Sequence, residues 1–300
     1  MSEKPAWMPT IQECAKLYLD EMKTRALAKS TLKIYSLRLG VLERYLDAKS
    51  IKLIDKVTTD VLKRFFQDKR DRGIRPHTIA SEMKFVRAWL NYLLEIEVIS
   101  QSPFDKIVIP RLPKLQKKCY TIEEIKKMLS VADDREQLVI LLLVDTGVRS
   151  TEFCNINAGD IDLANGTVTV RQGKGAKDRT TFIGAQTRKH LIRYWRKHGK
   201  PDAGEPLVKS QRTRDGRLTK SGMRSIVKSI SEKAGIEGCN VKKFRRTFAQ
   251  WSLANDMDLR SIQLLMGHSD IKTTVEYLGD NVHDLKRKHD KFGPIDHSGI

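Results

Sequence analysis

Two rings nine residues apart, His268 and Tyr277 in the stretch LLMGHSDIKTTVEYLGD, are the first side chains that invite a chemical reading. On one continuous helix a nine-residue step is a rotation of about 180°, so the rings would point in opposite directions. A shared site needs a break between them, and the sequence supplies one. DLRSIQLLM carries apolar residues at helical spacing, Gly267 is suited to cap its C-terminus, and TTVE (Thr273 to Glu276) has the form of a capping box opening a new helix. Taken alone, the stretch reads more simply as helical core with a half-buried tyrosine. A phenol, with an ordinary pKa of about 10, becomes a useful nucleophile only beside a group that takes or stabilises away its proton.

Cations elsewhere in the chain could complete such a site. Arg149 follows the very apolar LVILLLV in DTGVRSTEF, where a charge is costly unless it is paired or solvated; Glu152, three residues on, can pair with it and set its direction. Lys174 lies between glycines in QGKGAKDR, a setting that allows close approach to another molecule and is equally common for an exposed lysine. In KKFRRTF, Phe244 and Phe248 mark a buried side, while Lys242 shares a face with Arg245 and Arg246. Each of these, by itself, is also what a solvated basic surface looks like.

The elements that must position them are mostly helical. Four amphipathic helices are expected in the first hundred residues: TIQECAKLYLDEM with a threonine cap, STLKIYSLRLGVLERYL from Ser30, TTDVLKRFFQDKR behind Thr58 or Thr59, and HTIASEMKFVRAWLNYLLEI with Ile79, Met83, Val86, Leu90 and Leu93 on one stripe. Phe65, Phe66, Trp89 and Tyr92 read as core. Lys63, Arg64, Lys84 and Arg87 lie between the stripes and suit either solvent or phosphate. SPFDKIVIPRLPKLQKK, with three prolines and many bases, reads as an extended linker. Beyond it, Thr121 and Glu124 form a capping box, and helices surround one hairpin, with β-branched residues at 167–170 and 180–183 bracketing a Gly/Lys-rich turn. The fold class is therefore mainly α, with a small antiparallel sheet in the second domain.

Three hundred residues suit two domains. The formal net charge is +19, and both parts share it: 20 basic against 14 acidic residues over 1–110, and 36 against 23 over 111–300. That pattern suggests a polyanion contacted by both, nucleic acid ahead of an anionic membrane surface. No apolar run approaches a spanning helix, and MSEKPAWMPT lacks a signal-peptide core. Cys14, Cys119, Cys154 and Cys239 form no CxxC pair, which fits free thiols in a reducing cytoplasm. No zinc or nucleotide-binding spacing is present, so no metal and no cofactor is expected.

The ordered set TGVRSTE, GKGAKDR, KKFRRTF and MGHSDIKTTVEY closely resembles the tyrosine recombinase (integrase) family, and the resemblance spans nearly the whole chain. It implies a two-domain architecture: a helical core-binding domain over residues 1–105, a basic Pro-rich linker over 106–118, an α+β catalytic domain over 119–290 and a tail over 291–300. It implies Arg149 and Arg245 as an arginine pair on the scissile phosphate, Lys174 as the hairpin lysine, His268 as the histidine of the third box and Tyr277 as the nucleophile. Lys242 stands where many members have histidine, which leaves its role open. Arg246 is read as structural.

The implied chemistry is cleavage and rejoining of double-stranded DNA at recombination sites, through a 3′-phosphotyrosine link and a Holliday junction, without metal or ATP. Two guanidiniums can donate paired hydrogen bonds to a phosphate gathering negative charge. A mobile Lys174 suits the general acid for the 5′-oxygen, and His268 or Lys242 could handle the phenol proton. Implied partners are DNA and a homotetramer on it, with the segment after Tyr277 contacting a neighbouring protomer. With the first helix starting near Thr10, no further amino-terminal arm-binding domain is expected. The protein is expected in the cytoplasm, nucleoid-associated when bound. Integration or excision of a mobile element is the expected use, since DLKRKHDKFGPIDH looks like the tails of element integrases. Xer-like dimer resolution and a non-catalytic DNA-binding protein are the alternatives.

Overall fold

Helix α1 (Ile11–Thr24) begins at a capping box: the Thr10 hydroxyl accepts from the Glu13 amide while the Glu13 carboxylate accepts from the Thr10 amide. In the computed structural model, which describes residues 8–113, 118–171, 178–210, 213, 215–271 and 274, the chain divides into two compact units, Met1–Lys114 and Leu115–Ile300. In the first, α2 (Lys29–Asp47) starts just ahead of the expected Ser30. The Ala28 carbonyl already accepts from the Thr31 and Leu32 amides, so Ser30 lies within the first turn and caps nothing. Helix α3 (Thr59–Asp71) is capped by Thr58, and α4 (Pro76–Glu95) opens on a proline, whose missing N–H costs nothing there.

The four helices bury Trp89, Phe66, Leu39, Leu42, Leu46, Leu62, Met83, Leu90 and Leu93 completely or nearly so. The ring of half-buried Tyr92 lies tilted against that of Tyr18, and Lys63, Arg64, Lys84 and Arg87 are exposed. The opening of the proline-rich stretch is not free chain. Phe104 is 1% exposed in this core, and Ile107 and Ile109 pack on it.

In the second unit, α5 (Ile122–Val131) begins at the Thr121–Glu124 capping box. Helix α6 (Asp134–Thr146) carries LVILLLV through the core and stops at Gly147, left-handed at φ 59°. The short α7 (Ser150–Asn155) follows, then an antiparallel sheet in the order β1 (Ile161–Asp162), β2 (Thr167–Val170), β3 (Arg179–Phe182). Its register pairs Thr167 with Phe182 and Val170 with Arg179, with Val168 and Val170 inward. Two residues of β1 are too few for an alternating pattern, so only β2 and β3 show in the sequence. Helices α8 (Ala185–His198), α9 (Lys220–Lys233), α10 (Val241–Ala254) and α11 (Leu259–Met266) complete the described elements.

No helix among the described residues is long and apolar enough to cross a membrane. The four cysteines are free thiols.

Candidate active site

The turn after α6 determines where the first arginine stands. An added Cβ at Gly147 would fall on the Phe248 ring, so glycine serves both the left-handed backbone and the close packing of α10 behind it. Two residues on, Arg149 is the N-cap of α7. Glu152 turns back to it, accepting from the Arg149 amide at 2.7 Å and from Arg149 Nη1 at 2.6 Å. The pairing expected from the sequence is present, but it is one part of a larger cluster.

Glu152 is 4% exposed and receives a second guanidinium side-on. Arg179, at the start of β3, donates from Nη1 to Oε1 at 3.0 Å and from Nη2 to Oε2 at 2.7 Å. Arg245, on α10 and buried, brings Nη1 to 4.0 Å from the same carboxylate. Three guanidiniums around one carboxylate leave a local charge of +2, with Arg149 the more open of the two that pair with Glu152 directly.

The three arginines share a second feature. Arg179 Nε donates to the Leu265 carbonyl at 2.9 Å, Arg245 Nη2 to Met266 at 2.5 Å, and Arg149 Nη2 to Gly267 at 3.1 Å. These consecutive carbonyls end α11, where carbonyls lack helical partners and the helix dipole is negative. Arg245 Nη1 also donates to the Gly147 carbonyl, so both glycine turns are held by one side chain.

His268 follows directly from this termination. Gly267, left-handed at φ 63°, donates to Leu264 O while the His268 amide donates to Gln263 O, which is a Schellman ending with His268 in its last position. Gln263 Nε2 in turn donates to the His268 carbonyl at 3.0 Å. The imidazole Nδ1 lies 2.8 Å from Thr274 Oγ1. Burial, then the charges of Arg245, Arg149 and Arg179, push His268 down to about 4 against a weaker opposite pull from Glu152, so the ring is neutral at pH 7. Burial would raise Glu152, but the hydrogen bonds and charges of Arg179 and Arg149 outweigh it and hold the carboxyl at about 2.

Of the six predicted site residues, Arg149, Arg245 and His268 are brought together. Lys242 is exposed on α10 and makes no hydrogen bond or ion pair with a described residue. Lys174 and Tyr277 lie outside the described residues, as does Thr273, the proposed opening of the next helix. Ile271 and Thr274 are themselves helical. Arg246 donates to the Lys118 carbonyl, consistent with a structural part. Arg179 had no role assigned from the sequence. Its only signal was its place at the end of GKGAKDR, because a strand-borne arginine gives no hint that it turns toward a helix C-terminus. Among the described residues no group of three or more histidines, cysteines, aspartates or glutamates is arranged to hold a metal.

The cluster is carried by a mostly helical unit with one small antiparallel sheet. The phage integrase family matches residues 118–283 and the phage integrase SAM-like domain matches residues 10–109; the chain belongs to the phage integrase family and is a tyrosine recombinase. It is 32% identical over 233 residues to tyrosine recombinase XerA of Thermococcus kodakarensis, covering 76% of this chain and 79% of that protein. It is 27% identical over 306 residues to tyrosine recombinase XerC of Bacillus licheniformis, covering 97% and 100%. The fold is that of a lambda integrase dimer bound to a core site (TM-score 0.75, 16% identity, 91% of this chain and 96% of that one). The Tn1549 transposon integrase in complex with circular intermediate DNA is alike in fold too (TM-score 0.71, 19% identity, 94% and 99%).

Proposed function

We propose that the protein cleaves and rejoins double-stranded DNA at recombination sites with Tyr277 as nucleophile and with Arg149, Arg245, Lys174, Lys242 and His268 in the site. The observation that carries this is the convergence of Arg149 and Arg245 on one buried carboxylate beside His268. With a local charge of +2, the cluster suits a phosphodiester whose non-bridging oxygens gain negative charge during transfer. Arginine is suited to that work because its charge is permanent and its donors are paired and planar.

In the proposed step the Tyr277 phenolic oxygen attacks phosphorus and the bond from phosphorus to the 5′-oxygen breaks. Lys174 supplies the proton to that leaving oxygen. The phenol proton passes to His268, a choice supported by its neutral ring among the arginines, against the exposure of Lys242. A phosphate anion bound there offsets the arginine charges that weaken the imidazole as a base. The 3′-phosphotyrosine link keeps the bond energy, and attack by another 5′-hydroxyl reverses the step on a second duplex.

Residues 1–105 act as the core-binding domain, 106–118 as a linker whose Ile107 and Ile109 pack on that domain, 119–290 as catalytic domain and 291–300 as tail. Exposed Lys63, Arg64, Lys84 and Arg87 are suited to phosphate contacts. The working assembly is a homotetramer on DNA, exchanging strands through a Holliday junction, with the tail contacting a neighbour, in the cytoplasm and on the nucleoid. Its use is integration or excision of a mobile element. Dimer resolution is the second reading, favoured by the names XerA and XerC among the relatives.

Covalent capture on nicked duplexes tests the assignment. A pool of randomised sequence, incubated with the protein in EDTA, is expected to yield strands linked to the wild type, whereas Tyr277→Phe binds the recovered duplexes and captures none. An adduct with the phenylalanine variant, or one that requires magnesium, overturns the assignment.

A further inference from the structure

We infer that Arg179 is a positioning residue for the strand-transfer step: it saturates the buried carboxylate of Glu152, so that this carboxylate aims Arg149 and does not capture Arg245. The inference rests on the proposed roles of Arg149 and Arg245, and it begins from the acceptor capacity of Glu152. A carboxylate has about four lone-pair directions. Here two are used by Arg149, through its amide and Nη1, and two by Arg179, through Nη1 and Nη2. The carboxylate is thus filled by one arginine of the proposed phosphate pair and one that lies outside that pair.

The remaining arginine shows why this matters. Arg245 Nη1 lies 4.0 Å from Glu152 Oε2, beyond hydrogen-bond range, while its donors are engaged at 2.5 Å by the carbonyls of Gly147 and Met266. Without Arg179, a buried carboxylate would face Arg149 alone, and an under-paired buried charge is expensive. Arg245 is the cation within reach to relieve it. A shift of little more than 1 Å would bring its Nη1 into hydrogen-bond range and turn it from the place where a phosphate is to bind. A misplacement of that size is enough to cost about a hundredfold in rate.

Arg179 is also anchored so that it cannot yield. Its Nε donates to Leu265 O, tying β3 to the end of α11 that presents His268. An added Cβ at Gly267 would come within 2.8 Å of Arg179 Cδ and 3.0 Å of Nε, so the guanidinium stem passes against bare glycine backbone. Lysine cannot substitute, because a single ammonium cannot fill both carboxylate oxygens and the Leu265 carbonyl in one plane. The residue therefore joins the strand that follows Lys174 in the chain, the turn that carries Arg149 and the helix end that carries His268.

The experiment is single-turnover adduct formation on a nicked duplex recovered with wild-type protein, at saturating protein, with the dissociation constant measured separately. Arg179→Gln is expected to slow adduct formation about a hundredfold and to leave the dissociation constant within about twofold. Arg179→Lys, which keeps the charge, is expected to remain at least about tenfold slow, and it serves as the test variant if the glutamine variant does not fold. Glu152→Gln alone is expected to be slow too, because it loosens Arg149, but added to Arg179→Gln it removes the charge that captures Arg245, so the two losses are expected not to multiply. Wild-type rates in Arg179→Gln or in Arg179→Lys, or a double variant whose two losses multiply, overturn the inference. Absence of any wild-type adduct instead overturns the functional reading, and this inference with it.

Discussion

The two units bury charge in opposite ways. In the first, the interior is aromatic and aliphatic: Tyr18 packs with Tyr35, Phe85 and Tyr92, Trp89 is wholly enclosed, and the buried carboxylate of Glu82 pairs with Lys69. In the second, Glu152, Arg245, Lys243 and His268 are all buried in or beside an apolar core. Burying ions is costly and does little for net stability compared with apolar residues of similar size. The difference teaches that the first unit is built for shape and the second for a field. Charge burial alone does not mark the site, however. Lys243 is buried too, but it pairs with Glu124 and lies over the Tyr120 ring, which joins the chain after the linker to α10. What marks the site is several like charges held close together by acceptors that they do not neutralise.

The comparison breaks most readily at Trp89. Replacing it with alanine removes a fully buried ring that also donates to the Cys14 carbonyl, and is expected to destabilise the first unit by about 3–5 kcal/mol in chemical denaturation. Adduct formation by the protein that stays folded should keep its wild-type rate constant; a large loss there would mean that the aromatic core also shapes the chemistry.

A pH titration sharpens the contrast from the other side. His268 titrates near 4 when folded against 6.5 for the free side chain, so the unfolded chain takes up its proton first and stability falls as pH drops from about 6.5 to 4. Glu152, held at about 2 against 4.5, adds stability that is present above 4.5 and is lost as pH falls toward 2. Each window is expected to remove on the order of 3 kcal/mol. Denaturation curves at stepped pH, with His268→Gln to remove the upper window, measure this; an acid-insensitive second unit would contradict the pairing of Glu152 with its arginines and the neutral burial of His268.

The smallest expected effect is at Gly267. Alanine there must adopt a left-handed backbone and press on Arg179, for a cost of about 1–3 kcal/mol by thermal or chemical unfolding. Because Arg179 is displaced, the adduct rate should fall by more than the stability loss accounts for at temperatures where the variant is folded. An unchanged rate would separate the Schellman ending from the arginine cluster.

Much of this architecture is legible in the residues alone. The threonine cap at Thr10, the capping box at Thr121, the stripe through Ile79 to Leu93, the hairpin strands and the Gly267 stop are local signals, and local hydrogen bonding and periodicity decide them. Arg149, Arg245 and His268 are identifiable from their motifs, and so is the Arg149–Glu152 pair, because it lies within one helical turn. The start of α2 is less legible, since a serine suited to a cap need not be the residue that caps.

The sequence by itself determined most of the element types, the strongly basic charge and the residue kinds that the proposed phosphoryl transfer uses, all of which are properties of residues and their near neighbours. Only the tertiary structure decided that Arg179, Arg245 and Arg149 cap the successive carbonyls of Leu265, Met266 and Gly267, and that one carboxylate receives two of them with the third close by. Those partners are separated by up to 118 positions along the chain. Contacts at that separation follow from how helices and strand pack around a common core, and spacing along the sequence carries no record of them.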